Sequence, residues 1–196
     1  MKIGVFLSRM QPLHIGHLGM IDKALSENDR VIILIGSANR ENEIRNPLNI
    51  KLRKEILENA LKEKYEKSLN EKITIKELPD WTSEEDLKSN EEWGKYLYYN
   101  IVSVTIEKSF TIYFSDDKAI IEDWFQDKEI RKRIEIKTFE RTELFENVSS
   151  TKIREAFLNN NKEYIEKSVP KAVLEKFEEI KEIIDKTYKA KRRESL

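Results

Sequence analysis

Both histidines of the chain fall within four residues, His14-Ile15-Gly16-His17, directly after the apolar run Ile3 to Leu7. Imidazoles at that spacing can donate hydrogen bonds to phosphate oxygens, and Gly16 removes a side chain where a ligand must approach the backbone. The plain alternatives are two helix-start histidines that cap carbonyls, or half of a metal site. A second group is Ser149-Ser150-Thr151-Lys152-Ile153-Arg154, at the opening of a helix pattern that continues through Ala156 and Phe157. Hydroxyls, free amides and two cations make that helix start a ready anion site. An ordinary serine or threonine N-cap followed by surface charges would read the same way. A third piece, Asn46-Pro47 to Arg53, places Arg53 on the exposed side of a helix.

The elements that must position these groups are legible. Lys2 to Leu7 and Val31 to Ile35 are continuous apolar runs of the kind found in parallel strands covered on both faces. His17 to Glu27 and Asn49 to Lys64 carry apolar residues at helical spacing. Lys72 to Leu78 alternates as a strand and Pro79-Asp80 ends it. A polar stretch, Ser83 to Glu92, precedes a helix through Trp93, Leu97, Ile101 and Val104. Phe110 to Phe114 is a short strand, Lys118 to Phe125 a helix, and Arg133 to Lys137 a weaker strand. From Ser149 onward the chain reads as helix, with Pro170 opening a last amphipathic one. Strands alternating with helices imply an α/β protein with a doubly wound parallel sheet. Residues 1–169 form the main domain, and 170–196 a C-terminal helix packed on it or extending from it. The mouth between a first strand and its helix is where such folds hold phosphates.

Composition narrows the partners. Charged residues make up 37% of the 196 but nearly cancel, to a net charge of -1. No overall basic field argues for nucleic acid or an anionic membrane as partner. Cysteine is absent, which excludes disulfides, thiolate catalysis and cysteine-bound zinc. With only two histidines, no protein-built metal site is expected. The apolar start is too short for a signal peptide and is followed at once by Arg9, so a soluble, cytoplasmic protein is expected. Neither GxGxxG nor GxxxxGK[ST] occurs, which removes most of the case for a dehydrogenase or a P-loop enzyme.

Arg9-Met10-Gln11-Pro12-Leu13-His14-Ile15-Gly16-His17 resembles the RFQPxHxGH signature of the archaeal-type nicotinamide mononucleotide adenylyltransferases, within the HxGH/SxTxxR nucleotidyltransferase superfamily. The exit Gly36-Ser37-Ala38, the NPxxxxxR segment ending at Arg53, Tyr113-Phe114-Ser115-Asp116-Asp117 and the SSTKIR helix start follow in that family's order. The resemblance runs from about Lys2 to Pro170. The chain departs from it in three places: Ser8 where the branch usually has glycine, Met10 where it has phenylalanine, and the pair Asp116-Asp117 for an asparagine-containing pair. The stretch from Asp80 to Trp93 is like that of versions fused to a Nudix hydrolase, yet the chain has no Nudix box.

The resemblance implies a Rossmann-like nucleotidyltransferase fold with C-terminal helices. It implies that ATP and nicotinamide mononucleotide, with Mg2+, give NAD and pyrophosphate. His14 and His17 would then lie against the ATP phosphates, and Arg9 and Arg53 would grip phosphates from opposite sides. Thr151 and Arg154 would hold the leaving β- and γ-phosphates, with Gly16, Ser149, Ser150, Lys152 and Asp116 as further ATP contacts. For the acceptor, a carboxylate at Asp80 suits a carboxamide or ribose hydroxyl, and an indole at Trp93 suits a cationic ring. The bland reading makes Asp80 a turn residue and Trp93 a core or rim residue. Transfer to another phosphate, such as phosphopantetheine or a polyol phosphate, and a non-catalytic nucleotide sensor are the other expectations. A homo-oligomer stays open.

Overall fold

Val31 to Ile35 has no polar side chain because neither face of its strand meets water. In a computed structural model of the chain, which describes residues 1–80, 90–115, 118–139 and 148–194, strand β2 (Arg30–Ile35) lies inside the sheet. Val31, Ile33 and Ile35 enter one hydrophobic cluster while Ile32 and Leu34 enter the other. That split follows from the two-residue period of a strand. The other strands are β1 (Ile3–Ser8), β3 (Ile73–Glu77), β4 (Phe110–Phe114) and β5 (Ile134–Thr138). Among the described residues they form one five-stranded sheet in the order β3-β2-β1-β4-β5, every pair parallel. The α/β doubly wound reading holds.

Helices cover both faces. On the first lie α1 (Ile15–Glu27) and α2 (Ile50–Lys64), where Ile21, Ala24, Leu52 and Ile56 pack against Ile33 and Ile35. On the second lie α4 (Asn90–Val102), α5 (Lys118–Trp124) and the short α6 (Lys128–Arg131), with Leu97, Ile101, Ile121 and Ile130 against Ile32, Leu34 and Ile112. A single turn, α3 (Lys67–Asn70), joins α2 to β3. After β5 the chain returns to the first face as α7 (Ser150–Leu158), α8 (Lys162–Ser168), α9 (Lys171–Leu174) and α10 (Phe177–Glu194). Ile180 and Ile184 of α10 are fully buried in the cluster that holds Phe157. Lys176 reaches Glu55 of α2 at 2.8 Å. The segment opened by Pro170 is therefore two helices, a short α9 and then α10.

The chain runs β1, β2, β3 outward to one edge, then crosses through α4 to begin again at β4 beside β1. The order reverses at β1 and β4, and their carboxyl ends part around a crevice. No helix among the described residues is long and apolar enough to cross a membrane.

Candidate active site

The crevice at the β1/β4 reversal is a cleft of about 360 Å³. Strand exits supply its floor: Ser8 at the end of β1 and Arg9 after it, Gly36 and Ser37 after β2, Asp80 after β3, Ser115 after β4. The start of α7 supplies one wall through Ser149, Ser150, Thr151 and Arg154. His14, Gly16, His17 and Trp93 complete the set of expected residues that meet there. Three do not. Arg53 and Lys152 are not on the cleft lining, and Asp116 lies outside the described residues.

The helix begins at Ile15, two residues before His17, which makes His14 the N-cap of α1 in extended backbone. The His14 backbone N–H donates to His17 Nδ1 at 3.2 Å, and His17 Nε2 lies 2.9 Å from Ser8 Oγ. The two rings stack with centroids 3.6 Å apart. Because Nδ1 accepts, the neutral imidazole of His17 carries its proton on Nε2, an assignment that follows from the hydrogen-bond network. The donor thus points to the end of β1, on the cleft side.

Arg53 departs from its expected place. It is 1% exposed, not on the outer side of α2. Its Nη1 donates to Arg9 O at 2.9 Å and to Gly36 O at 2.8 Å, and its Nη2 to Ser37 O at 2.9 Å. Nε adds a longer contact to Asn49 O. Sequence spacing placed Arg53 correctly on α2, but a helix face says nothing about which loops fold over it. Here the β1 and β2 exits do. Both turn through left-handed backbone, Met10 at φ 52° and Ser37 at φ 49°, which costs about 1–3 kcal/mol each unless the surroundings hold it. The guanidinium holds both. Burial lowers its pKa to about 10, so it stays charged at neutral pH.

Arg45, which sequence reasoning passed over, takes a place on the lining. It stands in the hairpin after β2, where Glu43 is bound by Asn46 and Arg40. Only its position directly before Asn46-Pro47 could have marked it. Arg9 has its pKa lowered by burial first, then by the charges of Arg154 and Arg45, with Asp80 opposing. Three guanidiniums that repel across one cleft create a site for a polyanion. Arg154 is buried, donating from Nη1 to Gln11 O at 2.7 Å and from Nη2 to Thr151 Oγ1 at 3.3 Å. Its buried Nε has no partner among the described residues, a donor that an anion in the cleft would satisfy.

Helix α7 starts as expected, with Ser149 Oγ accepting from the Lys152 N–H at 3.3 Å. Ser150 Oγ donates to Pro12 O, which ties the α7 start to the loop before His14. Gln11 does the same for the loop before α2, exchanging two 2.9 Å hydrogen bonds with the Leu48 backbone. Lys152 is exposed and lies off the cleft lining.

At the other end of the cleft, Asp80 is anchored through its backbone. Asn39 accepts from its N–H at 2.8 Å and donates to its carbonyl at 2.9 Å. Asp80 is thus a turn residue that lines the cleft, with its carboxylate 3.9 Å from Arg40 Nε. Trp93 is likewise both rim and wall. It packs edge to face on Trp124 at 6.1 Å, and Trp124 on Phe114 at 5.7 Å. Gly94 makes this possible, since a Cβ there would lie 1.7 Å from the Trp124 carbonyl oxygen. Trp124 and Phe114 were invisible as site residues because their helix and strand periods mark them only as apolar positions. Among the described residues no group of three or more His, Cys, Asp or Glu is placed to hold a metal ion.

With this geometry in place, comparison with known proteins is informative. The family model described as cytidylyltransferase-like matches residues 5–156. A nicotinamide-nucleotide adenylyltransferase of Saccharolobus solfataricus is 30% identical over 178 residues, covering 89% of this chain and 91% of that one. A protein of the same description from Thermococcus kodakarensis is 30% identical over 181 residues, covering 92% and 84%. Among solved structures, a bifunctional NMN adenylyltransferase/ADP ribose pyrophosphatase of Francisella tularensis, complexed with AMP and a manganese ion, superposes with a TM-score of 0.62 at 26% identity. That match covers 81% of this chain and spans 42% of the bifunctional protein.

Proposed function

The chain belongs to the cytidylyltransferase-like family, and from that premise we propose that it joins nicotinamide mononucleotide to the adenylyl group of ATP, giving NAD and pyrophosphate. The observation that carries this reading is the convergence of Arg9, Arg45 and Arg154 with the His14/His17 pair at the β1/β4 crevice, beside an aromatic wall. The relatives that match most of both chains are named for this reaction.

The acceptor phosphate is already an anionic nucleophile, so the reaction needs no general base. What it needs is alignment with the α-phosphorus, and neutralisation of charge as the bond to the β-phosphate breaks. In our reading His17 donates from Nε2 to the α-phosphate and His14 supports it by stacking. Arg154, with Thr151 and the amides of the α7 start, takes the β- and γ-phosphates that leave. Bidentate guanidiniums suit that task. Arg9 and Arg45 flank the phosphates, so Arg45 fills the place that Arg53 was expected to take. Arg53 is a positioning residue, holding the carbonyls of Arg9, Gly36 and Ser37. Magnesium enters as part of the substrate, carried on the ATP phosphates. The acceptor's cationic ring rests on Trp93, and Asp80 accepts from its carboxamide or ribose.

A pyrophosphate-release assay with ATP or CTP against a panel of phosphate acceptors tests the proposal. Release is expected with ATP and nicotinamide mononucleotide. Release only with CTP, or only with phosphopantetheine or a polyol phosphate, would replace the substrates, and nucleotide binding without release on the whole panel would make the chain a sensor.

A further inference from the structure

We propose that the Ser8 hydroxyl is a positioning residue for His17, holding its Nε2–H at the mouth of the cleft before any nucleotide arrives. The inference rests on the adenylyl-transfer reading, in which that N–H meets the α-phosphate.

Ser8 is the last residue of β1, and its place is rigid. Its carbonyl accepts the Gly36 N–H at 3.0 Å, and it lies opposite Ile35 in the parallel ladder. The residue that follows, Arg9, has its carbonyl held by Arg53. A hydroxyl on such a strand end moves little, so it can fix what it binds. What it binds is His17 Nε2, at 2.9 Å. On the other side of the ring the His14 backbone N–H occupies Nδ1 at 3.2 Å. The imidazole is thus pinned at both nitrogens, and the His14 ring stacked at 3.6 Å limits its tilt.

The tautomer decides the direction of the bonds. With Nδ1 accepting, Nε2–H donates and Ser8 Oγ accepts, which leaves the serine proton to be given elsewhere. Ser8 and His17 both line the cleft. A phosphate oxygen that enters there meets an Nε2–H already aimed at the end of β1, together with a hydroxyl whose own proton is available to it. Pre-aligned donors need no reorganisation at the moment of reaction, which is where preorganisation gains rate. A serine that merely ended the strand would affect stability and not turnover.

The test compares wild type, Ser8→Ala and Ser8→Thr in the pyrophosphate-release assay. Turnover is expected to fall about tenfold in Ser8→Ala, the worth of one neutral hydrogen bond. KM for ATP and for the acceptor should stay within about twofold, because the donor that Ser8 holds acts mainly on charge that builds in the transition state. Ser8→Thr, which keeps the hydroxyl, should recover most of the turnover. Histidine-selective 15N labelling reports only two side chains, so the His17 Nε2 proton can be followed directly in the free protein. It should exchange slowly with water in the wild type and rapidly in Ser8→Ala, while the protonated nitrogen remains Nε2. Wild-type turnover in Ser8→Ala, or an unchanged exchange rate, overturns the role of Ser8 and leaves the adenylyl-transfer reading standing. Silence of the wild type with every acceptor instead removes that reading, and the positioning role of Ser8 with it.

Discussion

Replacing Arg53 by methionine keeps a stem of similar length in the core and deletes every donor at its end. Three carbonyls at the β1 and β2 exits lose partners at 2.8 to 2.9 Å. Each buried carbonyl left unpaired costs about 1–3 kcal/mol, so the loss would sum to several kcal/mol. Removing a buried guanidinium offsets part of it, because burial already disfavours the charge, as the lowered pKa of about 10 records. The net cost is expected near the range for breaking a buried polar pair from one side, about 3–5 kcal/mol. For a chain of this size that lowers Tm by roughly 6–20 °C, at about 2–4 °C per kcal/mol. The left-handed turns at Met10 and Ser37 lose the group that holds them, so turnover falls as well. Scanning calorimetry and ATP titration on the same preparation separate two roles. A phosphate ligand would lose ATP affinity with Tm nearly unchanged. A clamp loses Tm first, and Arg53→Lys, with one compact ammonium for three divergent carbonyls, restores only part of it. A Met variant melting within about 2 °C of wild type while losing ATP affinity would refute the clamp.

Arg154→Ala should weaken ATP and pyrophosphate together by about 10- to 100-fold, the worth of a hydrogen bond to a charged group, and leave acceptor affinity unchanged in calorimetric titration. A defect confined to the acceptor would put the α7 start on the wrong side of the reaction. Gly94→Ala tests the aromatic wall through its sign: helix propensity alone would stabilise α4 by about 1 kcal/mol, whereas a Cβ 1.7 Å from the Trp124 carbonyl oxygen forces α4 and α5 apart. A net loss of about 1–3 kcal/mol by denaturant unfolding is expected, with a raised KM for the acceptor and not for ATP. Glu27 ties the end of α1 to the sheet, and hydrogen bonds from Lys137, Lys23 and Tyr113, in that order, lower its pKa from 4.5 to about 2. Its contribution is complete above pH 4.5 and is lost as pH falls through about 2. Urea midpoints should therefore fall more steeply over that window in the wild type than in Glu27→Gln, and parallel curves would contradict the assignment.

What the sequence determined by itself was the order of the elements and the two local groups that meet at the cleft. Strand β2 is read from its unbroken apolar run because a strand covered on both faces can tolerate nothing else. The His14/His17 pair and the Ser149 to Arg154 helix start are local in the chain, and local spacing survives folding. The tertiary structure decided which distant residues share the cleft. Arg53 shares the buried face of α2 with Ile56, Leu57 and Ala60, and the β1 and β2 exits fold over it and turn an expected ligand into a clamp. Arg45 reaches the site because a hairpin held by Glu43 and Asn46 places it near Arg9. Trp124 joins Trp93 because Gly94 lets two helices approach to backbone contact. Ser8, conspicuous in the sequence only as a departure from glycine, acquires a partner nine residues away once β1 and α1 meet at the cleft. Each of these depends on the crossing of separate elements. Periodicity within one element carries which face is apolar; it does not carry what the opposite face will touch.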